Sequence, residues 1–438
     1  MKRVFAFLLT AVLVLSMFTA CSNTSGSGNQ AAVESESDTA DVKKITVWAW
    51  DPQFNISIMN EAAERYEAKH PEVKIEVVEM AKADVEQKLN TTLASNTTEG
   101  LPEITLIEDY NAQKYITSYP GAFTDLTNLL NSKDFADYKT RIITIDDKLY
   151  GVPFDSGVAG LFYRTDLLEQ AGFTAKDLQN ITWDQFIEIG KTVKQKTGKY
   201  MLGFQRTDGG LMRIMLQSAG TWYFDDSGKA YIVDNEVLKE AMNVYKKIDE
   251  SGIAKPTSSW DEWVGAINQG EAATITTGVW IVGSIKAAED QSGKWNVAPV
   301  PRLNNSNSKN FSNLGGSSWY ILDHSANRDA AIDFMKEIYG ADTDFYQTIL
   351  KNNGAIGTYL PALSGDAFSQ ADEFFGGEAI YQDLGQWISN IPPVNYGAYT
   401  YEADAAVMAQ IDAVCNGSMT IDQALENAQA QLENQLQQ

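Results

Sequence analysis

Histidine and cysteine are nearly absent: the chain has two of each in 438 residues. A zinc site built from Cys and His ligands therefore has no material, and neither does a disulfide framework. Cys415 lies in the apolar-periodic stretch AAVMAQIDAVC and reads as a small buried core residue. His70 precedes Pro71 at the end of a helical stretch, and His324 falls in a surface-like LDHSAN turn; neither stands near a nucleophile motif. The G-x-S-x-G elbow of serine hydrolases is missing. Gly190-Lys191-Thr192 lacks the upstream glycine of a phosphate loop, with Gln185 in its place, and sits within a helical pattern. DDSGK at 225–229 is a turn rather than a full calcium loop. No metal and no cofactor is expected. Positive charge is also scarce, with 34 basic against 58 acidic residues and a net charge of −24. That balance excludes nucleic acid and anionic lipid surfaces as expected partners. Beyond the first 20 residues no run of 18 apolar residues occurs, so no later membrane span is expected.

What is present begins with Met1-Lys2-Arg3, an uncharged apolar run from Val4 to Phe18, and Thr19-Ala20-Cys21. A charged start, a short apolar segment and small residues before a cysteine read as a signal peptide over 1–20, with Cys21 the lipidated residue of a bacterial lipoprotein. Phe18 stands where such signals usually carry Leu; the plainer reading is a secretory signal followed by a coincidental cysteine. Ser22 to Val42 has no aromatic residue and is rich in Ser, Gly, Asn, Glu and Asp. It cannot bury enough apolar surface to offset its ordering entropy, so 21–42 reads as the lipidated cysteine and a flexible tether. Loss of residues 1–20 removes Lys2 and Arg3 and leaves 32 basic against 58 acidic residues, a net −26. The expected address is extracytoplasmic, on the cell membrane through Cys21. One acyl chain anchors weakly, so more than one is implied.

Helix and strand patterns alternate from there on. KITVWAW alternates like a strand, ISIMNEAAERYEAK has helical spacing and stops at His70-Pro71, and VKIEVVEM is a second strand. This is a βαβ unit with a parallel pair. A helix over about 83–95 and the strand LPEITLI follow, then a turn and strand in DDKLYGVPFD and an apolar strand in GVAGLFYR. Thr182 and Gln185 form a capping box for a helix starting at Trp183. Further helices are expected near 235–251, 327–339, 402–415 and 420–436, with an Asn/Ser-rich loop over 304–313. The alternation argues α/β, and about 395 residues after the tether argue for two lobes.

Several blocks resemble the extracellular solute-binding proteins of ATP-driven sugar importers, the class that includes maltose-binding proteins. They are ITVWAW with KHPEVKIEVVEM, LPEITLIEDYNAQKY, DDKLYGVPFDSGVAGLFYRTDLLEQAGF, ITWDQF, QGEAATITTGVWIVGSI, NLGGSSWYILDHSANRDAAIDFMKEI and NGSMTIDQALENAQAQLE. Their order and spacing carry the resemblance over roughly 390 residues; Glu103 and Ile181 depart from the family's usual Asp and Pro. The resemblance implies a two-lobed α/β periplasmic-binding-protein-like fold with a cleft at a multi-strand hinge. Lobe one would comprise 43–152 plus 301–340, and lobe two 158–298 plus 345–438, with crossings near Val152 to Val158, Val300 and Gly340. It also implies a monomer that captures an oligosaccharide by hinge closure and delivers it to membrane permease subunits.

Ligands of open parallel sheets sit beyond the carboxyl ends of strands. Trp48, Trp50 and Asp51 follow the first strand, Glu108, Asp109 and Tyr110 the third, Asp155 the crossing strand, and Phe204, Gln205, Arg206 and Asp208 follow MLGF. A sugar stacks its C–H face on an aromatic ring and needs paired donors and acceptors for its hydroxyls. Trp280 in TTGVW is the foremost stacking candidate, at a position where the resemblance implies a tryptophan. Trp222, Trp319, Tyr396 and Tyr399 are further candidates, and Gly316 could let backbone approach the ligand. Trp183 reads as helix-start packing, Trp295 as strand core, and Trp260 and Trp263, which flank a turn, as surface or core. No residue is assigned a catalytic role. The rival classes are a secreted glycosidase with two carboxylates across a sugar, and the same fold binding a peptide, polyamine or metal. Fifty-eight acids always offer some suitable pair, so their abundance does not favour the glycosidase.

Overall fold

The computed structural model describes residues 42–436. The expected signal peptide, Cys21 and all of the tether but Val42 lie outside the described residues. From Lys43 the chain builds β1 (Lys43–Ala49), α1 (Asn55–Glu67), β2 (Val73–Glu79), α2 (Lys82–Ala94), β3 (Ile104–Glu108), α3 (Asp109–Ser118) and α4 (Asp137–Ile143). β1 pairs in parallel with β2 and with β3, as the opening βαβ pattern predicts. The strand expected within DDKLYGVPFD is two short pieces. β4 (Thr144–Ile145) and β5 (Lys148–Leu149) form a hairpin closed by Asp146 and Asp147, both at positive φ, and β6 (Val152–Pro153) joins the edge of the first sheet.

The second sheet starts with β7 (Ala159–Arg164). α5 (Thr165–Ala171), α6 (Trp183–Thr197), β8 (Tyr200–Phe204), α7 (Gly210–Ser218), α8 (Glu236–Ser251), β9 (Ala254–Pro256), α9 (Trp260–Asn268), β10 (Ala272–Gly278), α10 (Val282–Lys286) and β11 (Trp295–Pro299) follow. The chain then returns to the first sheet as β12 (Ser317–Ile321), followed by α11 (Arg328–Ile338) and α12 (Thr343–Asn353), and ends in α13 (Ile380–Ile388), α14 (Thr400–Cys415) and α15 (Ile421–Leu436). The sheets run β2-β1-β3-β12-β6 and β11-β7-β10-β8-β9. β12 lies antiparallel to β3, and β7 antiparallel to β10 and β11, because each is reached by a crossing segment rather than a βα connection. α12 packs on α1, where Arg65 bonds Asp342, Asp344 and Thr348. The third passage between sheets therefore follows Asn353 rather than Gly340.

Local chemistry sets the elements. α6 begins at the capping box: Gln185 N–H donates to Thr182 Oγ1 at 3.3 Å and Thr182 N–H to Gln185 Oε1 at 2.8 Å. Trp183, Phe186, Ile187, Gly190 and Val193 recur at helical spacing on its buried face, and Gly198 ends it at positive φ. The Gly190-Lys191-Thr192 triplet lies inside this helix. Cys415 is buried, which pushes its thiol up to about 11.

Three crossing segments lie side by side. Asp155 bridges Gly357 and Val158 bridges Asn313. Gly157 is required between them, since a Cβ there would lie 2.0 Å from the Leu314 carbonyl oxygen. At their centre Lys139 Nζ donates to Asp109 Oδ2 at 2.6 Å and to the Asp155 carbonyl at 2.7 Å, and both side chains of the pair are fully buried. Ser318 Oγ donates to Asp109 Oδ1, and Asp155 Oδ1 accepts from the N–H and hydroxyl of Ser317. Tyr138 hydroxyl, bonded to Ser156 and Asn313, closes the same network.

Two consequences are measurable. Thr182→Ala removes the cap of α6 and should lower stability by about 1 kcal/mol in urea denaturation. Burial pushes the Asp109 carboxyl up to about 6 against the pull of Lys139. The folded protein then holds this proton more readily than the unfolded chain, whose carboxyl titrates near 3.8. The stability contribution of Asp109 is thus largest at low pH and declines as pH rises from about 4 to 6. Lys139→Met strands the buried carboxylate and should cost about 3–5 kcal/mol at pH 7.5. At pH 5, where Asp109 takes up its proton, the cost should be much smaller. An equal loss at both pH values would show that no buried charge is exposed by the substitution.

Candidate functional site

A cavity of about 510 Å³ opens where the carboxyl ends of β3, β8 and β10 converge. Its volume is within the range of about 300–1,000 Å³ usual for small-molecule sites. From the first sheet come Glu108 and Tyr110, with Gly315 and Gly316 from the returning segment. The second sheet and its helices supply the rest, so the cavity lies between the two lobes.

One wall is aromatic. Trp280 follows β10 directly, and its indole N–H donates to the Leu314 carbonyl at 2.9 Å, which fixes the ring. Trp260 lies 5.8 Å from Trp280, ring centre to ring centre, and Trp263 lies 5.4 Å from Trp260. Ser259 caps α9, accepting from Glu262 N–H, and this places Trp260 and Trp263 on the first turn, three residues apart on one face. Trp280 remains 42% exposed and Trp260 51%, large apolar rings left open to solvent on the cavity's rim.

Another part of the lining is charged. Glu108 Oε2 accepts from the Tyr401 hydroxyl at 2.5 Å and pairs with Lys82. Arg213, from α7, lies over the ring of Tyr110 at 5.2 Å and near that of Tyr401 at 6.0 Å. Burial opposes its charge, but Asp404 and the tyrosines around it outweigh burial and hold its pKa above the ordinary arginine value. Asp404 stands 4.0 Å from Arg213 and accepts from the Tyr223 hydroxyl at 2.5 Å; burial pushes its carboxyl up despite both. Asp208 lines the cavity and accepts from the Gly210 N–H at the start of α7 at 2.8 Å.

Of the residues singled out in sequence, Trp280, Asp208 and Gly316 line this cavity, with Glu108, Tyr110, Phe204 and Gln205 from the strand-end clusters. Asp51 and Asp155 line a second one of about 710 Å³, which Trp280 also borders. The others lie elsewhere. Asp109 is sealed in the hinge with Lys139, so no ligand reaches it. Trp222 and Tyr396 are buried behind Tyr110, with ring centres 5.8 and 4.8 Å from it, and bond Thr400 and Gln217. Trp319 is core, packed on Phe154 at 5.5 Å. Arg206 faces Asp249 and Asp412, Tyr399 lies beside Lys114, and Trp50 lines neither cavity. Trp260 and Trp263, read from sequence as surface or core, belong to the cavity, as do Arg213 and Tyr401, which the sequence did not single out. The signal for the two tryptophans was a Ser cap followed by aromatics on one face of a short helix. Among the described residues no cluster of metal-ligating side chains occurs, and no helix is long and apolar enough to cross a membrane.

Known proteins resemble this chain in sequence and in fold. The chain is 50% identical over 394 residues to the lactose-binding protein of Rhizobium radiobacter, covering 90% of this chain and 93% of that one. It is 25% identical over 342 residues, 75% of each chain, to a maltooligosaccharide ABC transporter solute-binding lipoprotein of Streptococcus pneumoniae serotype 4. A crystal structure of a protein of extracellular solute-binding protein family 1 superposes with a TM-score of 0.76 at 20% identity, covering 90% of this chain and 99% of that one. Residues 61–350 match the sequence pattern of bacterial extracellular solute-binding proteins. A two-lobed fold with a cleft at the strand ends, a match over most of its length and a half-identical relative together place this chain in the bacterial extracellular solute-binding protein family.

Proposed function

We propose that this protein captures a short neutral oligosaccharide, of which lactose is the first candidate, outside the cytoplasmic membrane. It then presents the sugar to the permease of an ATP-binding cassette importer. The observation that carries the reading is the pairing of the Trp260, Trp263 and Trp280 rings with the polar wall of Glu108, Asp208 and Arg213 across one cavity. A sugar ring has an apolar C–H face and an edge of hydroxyls, and this cavity offers a surface to each. The half-identical lactose-binding relative supports the choice of probe.

In this reading the ligand touches both lobes and so stabilises the closed arrangement by its differential affinity. The lobes are then 43–152 with 301–362, and 158–298 with 380–438, turning about the crossing segments. The protein acts as a monomer held to the membrane through lipid on Cys21; the lipoprotein name of one relative supports this address. The ligand leaves chemically intact: no residue is assigned to catalysis, metal or cofactor.

Isothermal titration against di- to tetrasaccharides with α and β linkages, lactose included, tests the reading. The samples are checked for breakdown afterwards. Saturable binding of intact sugar is expected. Hydrolysis would move the protein to the glycosidases, and silence across the panel would point to a non-sugar solute. Trp280→Ala should weaken sugar binding tenfold or more, since it removes a stacking ring worth about 1 kcal/mol beyond its buried area. The melting temperature should stay close to the parent's, because the ring is 42% exposed. An unchanged dissociation constant would take Trp280 out of the site.

A further inference from the structure

Arg213 borders the first cavity with a side chain only 13% exposed. Its Nε donates to the Gly209 carbonyl at 3.4 Å. Among the described residues neither outer nitrogen of its guanidinium meets a protein acceptor within hydrogen-bond distance. A largely buried guanidinium carries five N–H donors, and leaving them unmet costs free energy. The cavity is the open side from which acceptors can come. The rings of Tyr110 and Tyr401 flank the group, and Asp404 balances its charge from the other side.

The rest of the cavity decides what those acceptors are. Glu108, paired with Lys82, and Asp208 line the same space, and Asp404 balances Arg213, so a ligand carboxylate would meet no uncompensated cation there. A hydroxyl group both donates and accepts. Neighbouring hydroxyls on a sugar ring can take the two outer N–H groups of Arg213 and still donate to a carboxylate. The planar fork of arginine matches two adjacent oxygens in a way that a lysine ammonium does not.

We infer that Arg213 is the specificity-determining residue of the cleft, its two outer nitrogens holding a pair of adjacent hydroxyls on a neutral sugar and selecting against acidic sugars. The inference rests on the sugar-capture reading and narrows it to neutral rings with a vicinal diol at this end of the cavity.

The test titrates the purified protein and its Arg213→Met and Arg213→Lys variants with lactose, with lactoses each lacking a single hydroxyl, and with a disaccharide bearing a uronic acid. Loss of either of two adjacent hydroxyls should weaken binding to the unaltered protein about tenfold, in line with a hydrogen bond to a charged group. Arg213→Met should bind lactose about 100-fold more weakly and respond no further to the loss of those two hydroxyls. Arg213→Lys retains the buried charge and should keep its response to at most one of them. If Arg213→Met melts well below the parent, Arg213→Lys carries the comparison. The inference is overturned if lactose binds both variants as it binds the parent, if both hydroxyl penalties persist undiminished in them, or if the uronic acid is preferred. Silence of the unaltered protein toward every sugar of the wider panel would instead overturn the sugar-capture reading, and this inference with it.

Discussion

The buried Asp109–Lys139 pair is the point on which the two lobes depend. A fully buried ion pair is tolerable only when its remaining valences are met. Here Lys139 also reaches the Asp155 carbonyl, and Asp109 takes the Ser318 hydroxyl. The same Asp155 receives the Ser317 N–H, so one network holds the first crossing segment to the start of the returning strand. Gly316 runs through this network at positive φ, where a Cβ would lie 2.8 Å from Asp109 Oδ2. The hinge is thus a tightly bonded knot beside the ligand cavity, and Gly316 belongs to both.

The cavity inherits its character from what the hinge brings together. β3 contributes its carboxyl end and β8 and β10 theirs, so Glu108 and Tyr110 from one lobe meet the tryptophans, Asp208 and Arg213 of the other. Neither lobe alone encloses the cavity. Three tryptophans clustered at a solvent-facing rim would be a liability on a surface without a partner, since they leave apolar area in water. Sharing one cavity with Glu108 and Arg213, they offer apolar surface beside polar groups.

Much of the architecture was legible in the pattern of residues. The βαβ opening, the cap at Thr182, the interior Gly190-Lys191-Thr192 and the buried Cys415 all follow from local rules, because capping, periodicity and chain reversal act over a few residues. The cleft was legible only in part. Trp280, Asp208 and Gly316 line the cavity because they follow strand ends or a glycine pair. Trp222, Trp319 and Tyr396 share the same sequence flavour, aromatics beside Gly, Ser and Asn, yet they are core. Asp109 directly follows a strand end, as the cleft rule requires, but Lys139, thirty residues away in sequence, captures it. Trp260 and Trp263 were passed over because an aromatic near a turn is equally at home in core, surface or site.

What the sequence determined by itself is the alternation of strand and helix, the parallel opening, the scarcity of metal-binding and disulfide chemistry, and the family to which the order of its blocks belongs. These follow from side-chain periodicity and composition, which do not depend on distant partners. Tertiary structure decided which aromatics line the cavity, that Arg213 is left with open donors, and that Asp109 is sealed beside Lys139 rather than in the cavity. Each of those outcomes turns on burial and on a partner far away in the chain, Leu314 for Trp280, Asp404 for Arg213 and Lys139 for Asp109, and burial is set only when the two sheets come together.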